Sequence, residues 1–377
     1  MTKILILTAG FGEGHNAAAR ALAAAFDRES GPGTALIVDV FALAAPRFNH
    51  LARRGYLALI NGAPRVWIRF YRWSDSSQIV ERRLGFFARE TRVLRQVLAR
   101  EQPDAVCCTF PVCTLLLAHI ARTGGPDLPR FNIVTDSISI HSLWWRASCQ
   151  GWFLPNEDSA AVIRRAGGLH PAHVHVSGFP VPAIFREQTG VLAPPDLATG
   201  ATPRVLHIIN SGTRHAAETA RRLLAEEDWD ITCAVGRNER LRRSLTALAA
   251  RRRRPATILG WTQEVPRLLM THHVVVSKAG GATTQEAINA LCPMVVSQVV
   301  PGQEEGNYEL LRRHRAGVLA PTPGEVIAAL RSAFADGGRV CREWQQALAP
   351  LAHPAAARDI ACHVLAACAP SPVPGLR

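Results

Sequence analysis

A glycine-rich turn between an apolar strand and a helix, in the second half of the chain, has the residue types of an anion site. Val274–Val276 is a β-branched run that predicts a buried strand, and Gly280 and Gly281 behind it permit a tight turn with close backbone approach. Thr283 and Thr284 are the predicted N-caps of the helix that follows. Such a turn offers unpaired N–H groups and the positive end of a helix dipole, which suit a phosphate.

Nearby polar side chains extend this site from a phosphate toward a sugar. Glu286 lies about one turn into the predicted helix, where its carboxylate could accept hydrogen bonds from a ribose diol. The loop at residues 301–305 supplies Gln303 and Glu304 beside a second helix start, and these side chains suit a hydroxyl-rich sugar. By spacing alone, an ordinary β-α-β unit with a glycine turn explains the pattern equally well.

His15 is the candidate general base. It follows another glycine-rich turn, residues 10–14, between the first predicted strand and a helix. A neutral imidazole there could take the proton of an acceptor hydroxyl, and the helix N-terminus favours the neutral form. A histidine that only caps the turn is one alternative. A dinucleotide site using Asp39 is another, although His15 stands where that fingerprint has its third glycine.

A polar and aromatic segment after the fourth predicted strand could form the acceptor side of a cleft. Asp136 and His141 follow the strand, and Trp144 and Trp145 come next. We expect Asp136 to orient the acceptor or His15, and the two tryptophans to line an acyl-chain path or a membrane interface. Asp136 acting as a simple helix cap is the alternative.

Two further strand ends in the second half are candidate donor contacts. Gly212 and Thr213 can place N–H groups on a diphosphate. Trp261 and Thr262 are placed to contact a uracil by ring stacking or through the backbone, and core packing of Trp261 is an equal alternative.

The sequence favours a site without a metal cofactor. Asp228-Trp229-Asp230 has a D-x-D form that can hold a divalent ion, but it precedes its strand and so lies at the amino end of the sheet. Ligands bind at the opposite, carboxyl edge. We therefore expect helix N-termini and backbone N–H groups to stabilise the charge on a leaving diphosphate.

Strand-like and helix-like segments alternate along the chain, which predicts α/β domains with parallel sheets. One series ends near residue 185, and residues 186–203 have the Pro, Gly, Ala and Thr content of a linker. A second series fills residues 204–345, and residues 346–377 contain a last helix and a proline-rich tail. Two doubly wound domains would thus face each other across a cleft.

The net charge of +13 is the unusual global property of this chain of 377 residues. Residues 47–100 hold twelve arginines against three acidic residues, interleaved with aromatic side chains. This mixture suits an anionic membrane surface, with solvated arginine as the alternative, which we prefer for the cluster at residues 237–254. No nucleic-acid motif accompanies the charge.

We recognise no segment for membrane insertion or for export in the sequence. No apolar run reaches the ~18 residues of a transmembrane helix, and no signal peptide is recognisable. The nine cysteines follow no metal-ligand spacing, which indicates reduced core residues of a cytosolic protein.

Three blocks of the sequence resemble glycosyltransferase family 28, in the branch of the monogalactosyldiacylglycerol synthases and processive diacylglycerol glucosyltransferases. They are Gly12-Glu13-Gly14-His15-Asn16, Lys278-Ala279-Gly280-Gly281-Ala282-Thr283 with Glu286, and Pro301-Gly302-Gln303-Glu304-Glu305-Gly306-Asn307. The resemblance implies a GT-B fold of two Rossmann-like domains, with the C-terminal helix crossing back to the first domain. It also implies that His15 is the base, that Gly14 and Asn16 adjoin the acceptor, and that Lys278 belongs to the donor site.

The expected activity is an inverting transfer of galactose or glucose from a UDP-sugar to diacylglycerol or glycosyl-diacylglycerol. The enzyme would act as a peripheral protein on the cytoplasmic face of the membrane, with anionic lipids as further partners. Transfer to a polyprenyl-diphosphate-linked precursor, as in the peptidoglycan N-acetylglucosaminyltransferases of the family, is an alternative. A UDP-sugar epimerase and a membrane-bound UDP-sugar sensor without turnover are two others.

Overall fold

The computed structural model describes residues 2–10, 12–46, 55, 63–77, 80, 83–209, 215–254, 256–302 and 304–369. Three predicted donor contacts, Gly212, Thr213 and Gln303, lie outside these residues, as does much of the arginine-rich stretch between residues 47 and 62.

The first half of the chain forms a parallel sheet of six described strands in the order β2-β1-β3-β4-β5-β6. The strands are β1 (Ile4–Thr8), β2 (Ala35–Asp39), β3 (Ala105–Cys108), β4 (Arg130–Ile133), β5 (Gly151–Leu154) and β6 (Val174–Val176). β1 is buried along its whole length because helices cover both faces of the sheet.

The helices of this half lie between its strands along the chain. They are α1 (Glu13–Ser30), α2 (Val40–Ala44), α3 (Pro64–Ser76), α4 (Ala88–Glu101), α5 (Pro111–Arg122) and α6 (Glu157–Gly167). α3 is the amphipathic helix of the basic aromatic stretch.

The second half repeats this architecture with six described strands in the order β12-β11-β10-β7-β8-β9, again parallel. The strands are β7 (Arg204–Ile208), β8 (Asp230–Ala234), β9 (Ala256–Leu259), β10 (Val274–Lys278), β11 (Met294–Gln298) and β12 (Gly317–Leu319). The helices are α7 (Ile184–Glu187), α8 (Ala216–Ala225), α9 (Glu239–Ala249), α10 (Val265–Thr271), α11 (Gly281–Asn289), α12 (Glu305–Arg313), α13 (Pro323–Leu348) and α14 (Ala356–Cys368).

Two crossings of the chain tie the halves together. Phe179 and Phe185, which follow the first sheet, are buried in a core built mainly by the second sheet. In the other direction, α14 returns and buries Ile360 and Val364 against α1 and the first sheet. The α/β class with two doubly wound sheets is confirmed, whereas the domain boundaries stay a prediction.

One local expectation was wrong, and one short strand was not predicted. α11 begins at Gly281 with Gly280 as its N-cap, so Thr283 and Thr284 lie inside the first turn and do not cap it. Gly280 has no side chain to cap the helix, and its small size lets the helix begin three residues after the end of β10 at Lys278. The short strand β12 was not foreseen, since three residues carry too little periodicity to be recognised.

Candidate active site

The predicted chemistry lies at the topological switch point of each sheet. Strand order reverses between β1 and β3 in the first sheet and between β7 and β10 in the second. Ligands of doubly wound sheets bind at such points, beyond the carboxyl ends of the strands. His15 follows β1, and the glycine turn of α11 follows β10. The two segments that the sequence predicts to carry the chemistry therefore both lie at switch points.

Two helix N-termini meet across the boundary between the halves. A Cβ placed on Gly14 would lie 3.7 Å from the backbone nitrogen of Ala282, so the first turn of α1 directly faces the first turn of α11. A Cβ on Gly281 would lie 3.6 Å from the carbonyl oxygen of Thr135. Both helices direct the positive ends of their dipoles toward one place, which is an electrostatic environment for a diphosphate.

The imidazole of His15 is held by two oxygens of the first half. Its Nδ1 lies 2.7 Å from the carbonyl oxygen of Thr109 and 2.8 Å from Oγ1 of Thr135. Because a carbonyl oxygen can only accept, Nδ1 carries the proton and donates it, and the lone pair is therefore on Nε2. Phe110 packs edge-on against the ring at 5.2 Å and fixes its plane. This is the tautomer that a general base requires.

The surroundings of His15 favour its neutral form. Burial lowers the pKa of His15 below its ordinary value, while the negative charge of Asp136 and the hydrogen bond to Thr109 act in the opposite direction. The imidazole is consequently unprotonated near neutral pH and available as a base.

Asp136 influences His15 through its charge and is itself held elsewhere. Its Oδ2 accepts a hydrogen bond of 2.7 Å from the indole N–H of Trp144. Trp144 is fully buried and packs with Trp152 and Ile163, so its predicted place in an acyl-chain path is wrong. The sequence could not distinguish a cleft tryptophan from a core tryptophan because both follow a strand end. Trp144 instead holds the carboxylate whose charge acts on His15.

His141 and Trp145 also lie away from an open acceptor surface. His141 is buried, with Nε2 at 3.2 Å from Oγ of Ser74 and its ring edge-on to Tyr71 at 5.1 Å. It thus joins α3 to the first half rather than facing an acceptor, which corrects its predicted role. Trp145 is half-buried and packs on the β4-β5-α6 side beside Gly167.

Glu286 lies on α11 and faces α1. Loss of water contacts raises the pKa of its carboxyl to about 7, with Arg20 opposing and Glu13 adding to the shift. The carboxyl opens on a cavity of about 390 Å³ that Ala17, Arg20 and Pro182 also line. Near neutral pH this group can therefore both donate and accept hydrogen bonds, as contact with a diol requires.

Lys278 and Glu304 form an ion pair through Nζ and Oε1. The second carboxylate oxygen of Glu304 accepts a hydrogen bond of 3.0 Å from the backbone N–H of Val300. Glu304 thereby connects the loop after β11 to the end of β10. The two predicted donor residues are brought together, next to Gly280.

Trp261 and Thr262 lie beyond β9, at the far side of the second sheet from α11. Trp261 is 62% exposed, so the core-packing alternative is excluded for it. Oγ1 of Thr262 accepts a hydrogen bond from the backbone N–H of Glu264 at 3.0 Å. β9 and β10 are three strand spacings apart, about 14 Å, a distance on the scale of a nucleotide.

The residues of the N-terminal turn have structural partners that bear on the alternatives. Asp39 accepts hydrogen bonds from the backbone N–H groups of Gly10 and Ala42, both at 2.9 Å. A carboxylate so engaged is not presented to a ribose, which disfavours the dinucleotide interpretation. Oδ1 of Asn16 accepts a hydrogen bond of 3.0 Å from Oγ1 of Thr8 and ties the start of α1 to β1.

The D-x-D sequence is a turn at the amino edge of the second sheet. Asp230 begins β8 and lies near Arg204 and Arg254, and Trp229 is buried. The described residues contain no group of three or more His, Cys, Asp and Glu side chains arranged to hold a metal ion.

The exposed residues of α3 include three large apolar side chains beside Arg69 and Arg72. Val66, Phe70 and Trp73 follow one another at helical spacing and are 56%, 51% and 50% exposed. The helix packs on the protein through Trp67, which is buried against Val300. Among the described residues, none of the helices combines the length and apolar character needed to cross a membrane.

Several residues of the site were not recognised from the sequence. Thr109 and Thr135 hold His15, and Gln285 bridges the halves by donating a hydrogen bond of 3.1 Å to Oγ of Ser137. Thr109 follows β3 at the switch point, so the rule for strand ends could have singled it out. Gln285 carries no such signal.

Comparison with known proteins finds similarity to enzymes of glycolipid synthesis. The family model of monogalactosyldiacylglycerol (MGDG) synthase matches residues 15–181. A processive diacylglycerol beta-glucosyltransferase of Bacillus subtilis (strain 168) is 23% identical over 339 residues, which cover 89% of this chain and 87% of the relative.

Solved structures share the fold at low sequence identity. A UDP-glucosyltransferase from Polygonum tinctorium aligns with a TM-score of 0.61 and 14% identity, covering 98% of this chain and 99% of that one. A putative UDP-N-acetylglucosamine 2-epimerase from Listeria monocytogenes aligns equally well, with a TM-score of 0.61, 14% identity and coverage of 97% and 96%. The architecture is therefore common to transferases and epimerases, and the side chains of the cleft must separate them.

Proposed function

We propose, from the similarity of this chain to the monogalactosyldiacylglycerol synthases and to a processive diacylglycerol beta-glucosyltransferase, that it transfers a hexose from a UDP-sugar to a diacylglycerol-type lipid. The observation that carries the proposal is the geometry of His15. Its Nδ1 is held by Thr109 and Thr135, while the two helix N-termini at Gly14 and Ala282 adjoin it. A base next to an anion site is what glycosyl transfer from a nucleotide diphosphate requires.

In the proposed mechanism, Nε2 of His15 takes the proton of the acceptor hydroxyl as its oxygen attacks the anomeric carbon. The bond from that carbon to the β-phosphate oxygen breaks on the opposite face, and UDP leaves with the electron pair. An α-linked donor gives a β-glycoside in this single displacement. The negative charge that develops on the diphosphate is stabilised by the N-termini of α1 and α11, so we expect no metal cofactor.

The donor is proposed to extend along the carboxyl edge of the second sheet. Glu286 is proposed to bind the ribose. Trp261 and Thr262 contact the uracil, and Lys278 and Glu304 adjoin the hexose. Gly212, Thr213 and Gln303 keep their predicted roles on the diphosphate and the sugar.

The acceptor is proposed to reach the site from a membrane that α3 contacts. Phe70 and Trp73 place aromatic rings at the headgroup level, and Arg69 and Arg72 on the same helix suit anionic lipids. The enzyme would then work as a peripheral protein on the cytoplasmic face. Asp136 acts on His15 by its charge, as its effect on the pKa of His15 supports.

The test is product analysis. Purified protein is incubated with UDP-glucose or UDP-galactose and vesicles that contain diacylglycerol and anionic lipid, before and after exhaustive EDTA treatment. Mass spectrometry should find a hexosyl-diacylglycerol whose NMR coupling is that of a β-anomer, and EDTA should leave the rate unchanged. Donor turnover that needs a polyprenyl-diphosphate lipid, epimerised UDP-sugar without transfer, or UDP-sugar binding without turnover would each replace the proposed function by an alternative.

A further inference from the structure

Gln285 forms a buried hydrogen bond from the second half of the chain to the first. Its Nε2 donates to Oγ of Ser137 at 3.1 Å, and the two side chains are only 2% and 1% exposed. Because water does not reach this bond, its loss would leave a buried polar atom without a partner. A hydrogen bond is directional, so a buried pair of this kind holds two packed surfaces in one register.

The bond joins the two parts of the proposed site close to their reactive groups. Ser137 directly follows Asp136, whose charge acts on His15. Thr135 comes just before Asp136, and its Oγ1 lies 2.8 Å from Nδ1 of the same imidazole. Gln285 lies on α11, whose N-terminus is proposed to face the diphosphate. A change in this bond would therefore change the distance between the base and the donor.

Backbone contacts also hold the segment at residues 135–139 against the second half. A Cβ on Gly306 would lie 1.7 Å from the carbonyl oxygen of Ser137, so only glycine lets the start of α12 come this close. A Cβ on Gly281, at the start of α11, would lie 3.6 Å from the carbonyl oxygen of Thr135. The segment thus lies between the first turns of two helices, and Gln285 adds a directional bond to these contacts.

Ile138, next to Ser137, has a backbone conformation that needs support from its surroundings. Its φ is +54°, which is rare for a β-branched residue. Its N–H donates to Oγ of Ser159 at 3.1 Å, and its carbonyl oxygen accepts from the N–H of Ile140 at 3.0 Å. Strained residues of this kind persist where many contacts fix them, and they cluster at functional sites. The turn therefore has a fixed shape, and the position of Ser137 determines that of Asp136.

Gln285 is itself held by the part of the chain that crosses back to the first half. Nδ2 of Asn289, one turn later in α11, donates to the backbone carbonyl oxygen of Gln285 at 2.9 Å. Oδ1 of Asn289 accepts a hydrogen bond of 2.8 Å from the backbone N–H of His353, shortly before α14. α14 packs on α1, the helix that carries His15. Buried polar groups that are satisfied in this way make the contact between the halves rigid.

We propose that Gln285 is a positioning residue for the transfer step, which sets the distance between the donor on α11 and the base His15 through its bond to Ser137. The inference rests on the proposed function and adds a residue that acts from the donor half on the geometry of the base. A misplacement of about 1 Å between reacting groups can cost about 10²-fold in rate. The donor contacts themselves stay in place, so the rate of transfer should fall while the affinity for UDP is kept.

The experiment removes each partner of the bond and then both. Gln285→Met keeps the length of the side chain without its donor, and Ser137→Ala removes the acceptor. Each should lower kcat about tenfold or more, with the KM for the UDP-sugar and the calorimetric UDP affinity changed less than threefold. Because either change alone breaks the bond, the double variant should lose no more kcat than a single one. Thr114→Val, which removes a buried hydrogen bond to Asn132 within the first half, is the control and should keep its kcat.

Thermal unfolding separates positioning from stability. Each single variant leaves a buried polar atom without its partner, whereas the double variant removes both, so its melting temperature should recover toward that of the wild type. A kcat that stays low in the double variant supports the proposal. Recovery of kcat together with the melting temperature, multiplied losses of kcat in the double variant, or a UDP affinity that falls along with kcat would each overturn it.

Hydrogen exchange tests the same link without turnover. UDP added to the wild type should slow exchange in the peptide of residues 135–142, and this protection should be lost in Gln285→Met and Ser137→Ala although both bind UDP. Protection that persists in both variants would contradict the role of Gln285. If Gln285→Met does not fold, Ser137→Ala decides, because it removes only a hydroxyl group. If the wild type transfers no hexose, the proposed function fails, and the exchange measurement still decides about this bond.

Discussion

Replacement of His15 by alanine tests the proposed reaction most directly. The change removes the proposed base, while the backbone of α1 that offers its N–H groups stays in place. General base catalysis contributes roughly 10²–10⁴ in rate, so kcat should fall by this factor, which corresponds to about 2.7–5.4 kcal/mol of transition-state free energy. Binding of UDP should change little.

Thr135→Val is a milder change, because it removes one hydrogen bond to His15 and leaves the imidazole in place. Valine has a similar shape but cannot share the proton of Nδ1, and the carbonyl of Thr109 still holds it at 2.7 Å. A neutral hydrogen bond contributes about 0.5–1.5 kcal/mol, so the rate should fall about 2- to 13-fold. The expected order of activity is wild type, then Thr135→Val, then His15→Ala.

The assay measures UDP release with a lipid acceptor together with UDP affinity by calorimetry. The reasoning would be refuted if His15→Ala lost its UDP affinity along with its turnover, because the residue would then belong to the donor site. It would fail equally if Thr135→Val were as inactive as His15→Ala, since orientation and not proton transfer would dominate.

Three other perturbations follow from the structure. Asp136→Asn keeps an acceptor for Trp144 but removes the charge that raises the pKa of His15; the base must be unprotonated, so the acidic limb of kcat/KM, already below the ordinary histidine range, should move to lower pH. Phe70→Ser combined with Trp73→Ser should weaken sedimentation with anionic vesicles about tenfold or more, because two half-exposed aromatic side chains no longer leave water. Arg252→Ala should lower the free energy of unfolding by about 1–3 kcal/mol, because its guanidinium donates to the carbonyl oxygens of four residues around the end of α8, the shortest bonds being 2.6 and 2.7 Å.

Matched variants control these measurements. Val191→Ser changes an apolar side chain that is 72% exposed elsewhere and should leave vesicle binding intact; an equal loss would argue against docking through α3. Arg251→Ala, beside Arg252 but exposed, should leave urea unfolding unchanged, and equal effects would contradict the structural role of Arg252. An acidic limb that stays fixed or rises in Asp136→Asn would remove Asp136 as the charge that tunes His15.

Arg252 also shows where charge patterning misleads. The run Arg251-Arg252-Arg253-Arg254 indicates solvated side chains, and this holds for the exposed Arg251. Arg252, however, donates to the backbone carbonyl of Leu224 in the last turn of α8 and to that of Trp229 before β8. The sequence contains the arginine but not the direction in which it points.

Local patterns were sufficient for the long strands and for the positions of the reactive segments. β-Branched runs predict β10 and the other long strands, and glycine turns after strands mark Gly14 and Gly281, because both signals depend only on neighbours in the chain. His15 and Glu286 could be assigned chemistry at this level, since their place after a strand fixes the edge of the sheet on which they lie.

Tertiary structure decided what surrounds these residues. The oxygens that orient His15 belong to Thr109 and Thr135, which are 94 and 120 residues away along the chain. Their approach depends on the order of strands in the sheet, which periodicity does not encode. For the same reason Trp144 lies in the core instead of the cleft, and the ring of Tyr71 packs on Gly302 in the other half of the chain. Sequence thus determined which groups could react, and the packing of distant segments determined their tautomer, charge and neighbours.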